Sequence, residues 1–220
     1  MKNKILTGLL GFLSVILIIT FSIGLPIYFR PFYYWQIDSL NIEKYSGADR
    51  ETIIEAYDEL LDYLTIPGNE FKTGDFKYSE EGKSHFEDCK KLFDLNLYAF
   101  IISAVGIILL LALKKMGVFE VWRPFGMNIL FSSGIYTLGG FLIVGGLCAI
   151  DFEKAFTIFH MIFFPGKDNW MFDWNEDQII RALPQDFFMN CAILILASIV
   201  TLCLCCIIIG IIGKSKKKKY

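Results

Sequence analysis

Four stretches of this chain are too long and too apolar to sit inside a water-soluble domain of 220 residues. They run from Ile5 to Tyr28, Leu95 to Leu113, Phe125 to Ile150 and Phe187 to Gly213, and none contains a charged residue. A run of about 18 or more apolar residues is the length a helix needs to cross bilayer hydrocarbon. In lipid a helix satisfies its own backbone hydrogen bonds, which an open strand or loop does not. The wider composition agrees, at 55% hydrophobic and 16% aromatic, against about 45–50% apolar in ordinary soluble domains. The expected fold class is an all-α membrane protein. Four transmembrane helices carry a small, mostly helical extracytoplasmic part formed by two outer segments.

Charge orients the spans, because lysine and arginine in short loops favour the cytoplasmic side. The amino terminus (Lys2, Lys4), the connection 114–124 (Lys114, Lys115, Arg123) and the tail 214–220 together hold ten basic residues and one acid, Glu120. Segment 29–94 holds 8 basic and 15 acidic residues, and segment 151–186 holds 3 and 7. The expected order is a first span in 1–28, an extracytoplasmic segment 29–94 and a second span 95–113. A cytoplasmic loop 114–124, a third span 125–150, an aromatic-rich extracytoplasmic segment 151–186, a fourth span 187–213 and a basic cytoplasmic tail 214–220 follow. The tail reads as a topology anchor that also touches anionic lipid. The run after Lys4 exceeds a signal-peptide core and ends in "SIGLPIYFR" without a small-x-small cleavage site, so it reads as a retained span.

Both outer segments carry helical signals. In "SGADRETIIEAYDELLDYL", Ser46 with Asp49 three residues on reads as a capping box, and Ile53, Tyr57, Leu60 and Leu64 recur at helical spacing. "EFKTGDFKYS" suggests a short hairpin around Gly74. In "SEEGKSHFEDCKKLFDLNLYAF" one apolar stripe (Phe86, Cys89, Phe93, Leu97, Phe100) continues into the second span, so a single helix starts outside and passes through. On it Glu81, His85 and Asp88 share a face; the spacing fits either a carboxylate that fixes the histidine's tautomer and raises its pKa or a solvated histidine on an acidic helix entrance. The second segment places Phe152, Phe156, Phe159 and Phe163 along one helical side suited to the lipid interface, with His160 next to them. "PGKDN" breaks that helix, and "DWNEDQIIRALP" reads as another, with Asp173 as cap and Glu176 three residues on. Both histidines of the chain therefore fall on one side of the membrane. The six cysteines do not form a secretory disulfide framework and read as small packing residues. The chain shows no G-x-S-x-G elbow, no phosphate-cradling glycine loop, no H-E-x-x-H zinc helix and no nucleic-acid footprint beyond its tail.

The runs "SEEGKSHFEDCKKLF" and "FHMIFFPGKDNWMFDWNEDQIIRALPQDFF" resemble a bacterial family of small four-span membrane proteins, the lipoprotein intramolecular transacylases. The resemblance extends over nearly the whole chain. "HFEDCK" departs from the family's usual methionine after the histidine and valine before the lysine. The resemblance implies an acyltransferase of the bacterial cytoplasmic membrane that needs no cofactor. Its substrates are lipoproteins whose amino-terminal cysteine carries a diacylglyceryl thioether, and the sn-2 acyl chain passes to the cysteine α-amino group. It implies His85 and His160 as the catalytic pair, with Glu81 and Asp88 as candidates to orient His85. Trp170, Asp173 and Arg181 are candidates to shape the opposite wall or stabilise an oxyanion. An amine titrating near 7.7–8.0 needs a base, and histidine suits that task. Two alternatives stay open on the residues alone: a metal-dependent membrane hydrolase and a non-enzymatic membrane scaffold.

Overall fold

A computed structural model describes residues 2–123 and 127–215. The expected start of the third span at Phe125 and most of the lysine tail lie outside these residues. Four helices are long and apolar enough to cross a membrane: α1 (Lys4–Tyr28), α6 (Glu80–Lys115), α7 (Ile129–Ile150) and α10 (Gln185–Ser215). The chain is a multi-pass membrane protein. It divides into two compact units, one formed within 1–24, 96–147 and 194–220, the other within 25–95 and 148–193.

In the first unit the helices approach closely where a side chain is missing or small. A Cβ on Gly134 would lie 2.9 Å from the Cys203 carbonyl oxygen, and one on Gly106 would lie 2.7 Å from Leu13. Small residues permit this contact where lipid supplies no hydrophobic drive between helices. Hydroxyls and amides tie the same helices: Ser22 to Ser198 at 3.0 Å, Ser133 to the Gly11 carbonyl at 3.3 Å, and Asn96 to the Thr20 carbonyl at 3.2 Å. Ile102, Ile108, Ile143 and Leu147 point outward, as lipid-facing residues do. A two-residue parallel pair joins β1 (Lys2–Asn3) to β2 (Glu120–Val121).

The second unit contains the short helices α2 (Pro31–Tyr34), α3 (Gln36–Ser39), α4 (Ile42–Ser46), α5 (Arg50–Thr65), α8 (Phe152–Phe163) and α9 (Ile179–Ala182), and all of these except α8 contribute to its core. Ile53, Tyr57, Leu60 and Leu64 are all buried, as their spacing predicts. Tyr33 stacks on Tyr57 at 3.8 Å, meets the edge of Phe187, and donates its hydroxyl to the Ala182 carbonyl at 2.7 Å. That last bond joins segments 29–94 and 151–186. Arg30 pairs with Asp58 at 3.1 Å and with Asp62, fastening the chain that leaves α1 to α5.

Three local expectations change. The cap of α5 is Asp49, whose side chain accepts from the Thr52 amide at 2.9 Å; Ser46 instead closes α4. Gly47 at φ +73° separates the two helices, so the chain restarts after the serine. Around Gly74 there is a tight turn rather than a hairpin, with Thr73 bonded to the Phe76 carbonyl and Gly74 at φ +55°. A Cβ there would also meet Ala56 at 3.1 Å. Asp173 caps only a turn, through the Asn175 amide at 2.7 Å, and the following helix is the single turn of α9. Pro184 leaves that helix little room.

Candidate active site

The start of α6 and the end of α8 each deliver one histidine to the same buried cluster. At its entrance α6 is anchored by Ser79, whose hydroxyl accepts from the Gly82 amide at 2.9 Å while Asp177 accepts from the Ser79 amide and hydroxyl, each at 2.8 Å. Gly82 permits this approach, since a Cβ there would lie 2.2 Å from the Asp177 carboxylate. Asp177 therefore ties segment 151–186 to the turn that carries His85. Asp151 caps α8 through the Lys154 amide at 2.9 Å, placing His160 in the last turn.

The imidazole rings of His85 and His160 lie with centroids 5.7 Å apart and planes inclined by 33°. His85 is 5% exposed and His160 6%. Phe164 packs against both, at 4.8 Å from His85 and 5.7 Å from His160. Phe172 meets His85 edge-on at 5.4 Å, Phe156 lies 4.3 Å from His160, and Trp170 stacks on His160 at 4.6 Å. Phe156 thus faces inward, while Ile158, Phe159, Met161, Ile162 and Phe163 are exposed. The single aromatic side expected for α8 is therefore divided between the site and the surroundings.

Hydrogen bonds define the rings further. His160 Nδ1 lies 2.8 Å from the Phe156 carbonyl oxygen, which only accepts, so Nδ1 carries the proton and Nε2 is the bare nitrogen. His85 Nε2 lies 3.4 Å from Cys89 Sγ, and His85 Nδ1 is buried without a partner. Burial pushes the pKa of both histidines down; for His85, with the neighbouring His160 acting in the same sense, it falls to about 4. Asp88 and the Asn169 side chain oppose that fall. Both rings are neutral at rest. Burial also pushes the Cys89 thiol up to about 12, with Asp88 adding to it, so Cys89 is a thiol rather than a nucleophilic thiolate.

The expected supporting residues separate. Asp88 is buried beside His85, but Lys91 at 2.9 Å, Lys167, and the Asn169 amide at 3.4 Å take its oxygens. Burial alone raises a carboxyl, and these donors overcome it, holding Asp88 down at about 2. Asp88 therefore acts on His85 through its field. Glu81 stands exposed in the first turn of α6. Trp170 belongs to the site, its indole N–H donating to the Lys167 carbonyl at 3.1 Å. Asp173 is exposed in its turn, and Arg181 donates to the Trp174 carbonyl at 2.8 Å, so neither joins the cluster. Lys167, Asn169, Phe164 and Phe172 do join it. Their signal lay in "FPGKDNWMF", where lysine and asparagine side chains beside a histidine motif read only as a helix break.

An open cleft lined by Glu55, Glu59, Lys72 and Asp75 shares no residue with the histidine cluster. Among the described residues no group of three or more His, Cys, Asp or Glu side chains is placed to hold a metal ion.

A family model for the lipoprotein intramolecular transacylase Lit matches residues 8–188. No curated protein matches the chain. Among solved structures, the membrane integral lipoprotein intramolecular transacylase Lit from Bacillus cereus superposes with a TM-score of 0.87. It is 26% identical, with 99% of this chain and 98% of that one covered. The same Bacillus cereus protein carrying an H85R mutation gives a TM-score of 0.81 at 25% identity, covering 98% and 93%. With an H85A mutation it gives 0.81 at 25% identity, covering 99% and 96%.

Proposed function

The chain belongs to the lipoprotein intramolecular transacylase Lit family, and on that premise we propose that His85 and His160 move the protons of its acyl transfer. The enzyme is a membrane acyltransferase. It shifts the sn-2 acyl chain of an S-diacylglyceryl amino-terminal cysteine to that cysteine's α-amino group, leaving an N-acyl S-monoacylglyceryl lipoprotein. The observation that carries the histidine assignment is the meeting of the two rings, 5.7 Å apart, from separate outer segments inside one buried aromatic cluster.

The α-amino nitrogen attacks the sn-2 carbonyl carbon, the N–C bond forms, and the bond from that carbon to the glyceryl oxygen breaks. The proton lost by nitrogen goes to a bare imidazole nitrogen and from the histidine pair to the departing glyceryl oxygen. Two like-charged rings this close do not both hold an extra proton, so the pair accepts one and returns one. Nucleophile and ester belong to one molecule, and holding them in attack geometry contributes on the order of 7–11 kcal/mol. That removes the need for a covalent enzyme nucleophile.

The charge pattern supports an orientation with both termini cytoplasmic and the histidines at the outer leaflet, beside the lipid that carries the substrate. Mass spectrometry of lipoprotein amino termini tests the assignment. His85→Ala and His160→Ala should each lower turnover by about 10²–10⁴-fold, and the double variant by little more, because groups acting as a unit are non-additive. A single variant with near-normal turnover removes that histidine from the mechanism.

A further inference from the structure

Two complementary polar atoms in this site are buried and unpaired: Nδ1 of His85 and Oδ1 of Asn169. Buried polar atoms normally have hydrogen-bond partners, so two left without one in the same site call for an explanation. The Asn169 side chain is placed by the residues that flank His85 on α6. Its Nδ2 reaches Ser84 Oγ and Asp88 Oδ2, each at 3.4 Å, one residue before and three after the histidine. The Asp88 carboxylate only accepts, so it fixes which end of the amide is nitrogen, and the carbonyl end is the one left over. No backbone carbonyl of α6 takes the Nδ1 proton, in contrast to His160, whose Nδ1 is held by Phe156.

We infer that Asn169 is a positioning residue for the reaction: its Oδ1 accepts the Nδ1 proton of His85, fixing the ring's tautomer so that Nε2 is the atom that handles the substrate's proton. Catalytic hydrogen bonds that are long in a substrate-free enzyme tighten when substrate is bound, and the Asn169 side chain already acts on His85 in the sense that an acceptor would. The two histidines then present the same nitrogen, His160 through a backbone carbonyl and His85 through an asparagine. The arrangement also explains why Asp88 is withheld from the ring. With its oxygens taken by Lys91, Lys167 and Asn169, it leaves a neutral acceptor at Nδ1, which orients the imidazole without stabilising its charged form strongly. Cys89 meets Nε2 at rest as a weak thiol contact that substrate displaces.

The inference rests on the proposed roles of the histidines, but it is read without turnover. The chain has two histidines, so imidazole ¹⁵N spectra of the full chain in lipid nanodiscs, purified through a histidine-free tag, resolve both. Wild type should show His85 protonated at Nδ1 and bare at Nε2. Asn169→Leu keeps the volume and removes the acceptor; it should mix the His85 tautomers and lower kcat roughly 10–100-fold with little change in KM. Asn169→Asp keeps an acceptor and adds charge. It should restore the Nδ1–H tautomer and raise the His85 titration midpoint by about 1–3 units, against the existing fields of His160, Asp88 and Lys167. His160 should keep its tautomer throughout, which reports an intact fold. A wild-type His85 protonated at Nε2, or a tautomer unmoved in folded Asn169→Leu, overturns the inference. If Asn169→Leu does not fold, an unmoved midpoint in Asn169→Asp overturns it alone. Activity that survives His85→Ala while the tautomer still follows residue 169 sinks the catalytic roles and leaves the clamp standing.

Discussion

Burial sets the protonation of both histidines before substrate arrives. His85 is held down at about 4 and His160 below its ordinary value, both by desolvation first. Between pH 4 and 6.5 an unfolded chain takes up a proton that the folded site refuses. Stability is therefore full above 6.5 and falls as pH drops through that window. The same shift predicts the rate profile. With both proposed bases neutral throughout the neutral range, kcat/KM should rise with pH as the substrate's α-ammonium, near 7.7–8.0, loses its proton. It should show no separate inflection at 6.5. A clear break at 6.5 in a pH series means that the rings are hydrated in the working enzyme. Cys89 touches His85 yet is held as a thiol by burial. Cys89→Ala should keep kcat within about threefold, a change worth less than 1 kcal/mol. A dead Cys89→Ala variant, with an acyl thioester trapped on the wild type, points to a covalent route instead.

At the scale of elements, the register between α6 and the segment carrying α9 is held by Ser79 and Asp177. Gly82 is the position that permits it. Gly82→Ala drives a methyl into the Asp177 carboxylate and the Phe172 ring, an overpacking cost of about 1–3 kcal/mol. The expected outcome is a lower melting temperature and a larger fall in kcat than in KM, because Phe172 and His85 move together. An unchanged melting curve with unchanged kcat shows that the tie does not position the site. The long elements were legible because period and length are local properties. Ile53, Tyr57, Leu60 and Leu64 announced α5, and the stripe from Phe86 to Phe100 announced an α6 that begins before its span. The caps were less legible. Ser46 and Asp49 are both good capping residues, and the left-handed turn at Gly47 decides between them.

For the whole molecule, the charge partition predicts which surfaces face out. A membrane-impermeant thiol probe should label single cysteines introduced within 45–80 and 165–180 in intact cells, and should not label cysteines in 214–220. External labelling of the tail reverses the orientation and takes the proposed leaflet with it. Intramolecular transfer predicts a second result. When isotopically labelled and unlabelled lipoproteins with distinct peptides are mixed, each peptide should keep its own acyl chain, and an N-acetylated substrate should keep its sn-2 ester. Added chelator should leave the rate unchanged. Scrambled label points to an acyl-enzyme, and free fatty acid as the main product points to a hydrolase.

The sequence by itself determined the four spans, their charge asymmetry and the two histidine motifs, because hydropathy, net charge and residue spacing are properties of contiguous chain. It also singled out Trp170, whose ring stacks on His160. The tertiary structure decided which polar groups converge. Asp88 and Asn169 are 81 residues apart and become neighbours through their hydrogen bond. Glu81, on the same helix face as His85 by spacing, remains in solvent. Arg181, the last cation of the second segment, turns to a local carbonyl. Spacing along one helix predicts which side chains share a face, but which of them is desolvated depends on what arrives from the other segment. Here Phe164, Asn169 and Phe172 arrive, and by excluding water they leave His85 neutral, with one nitrogen awaiting a partner.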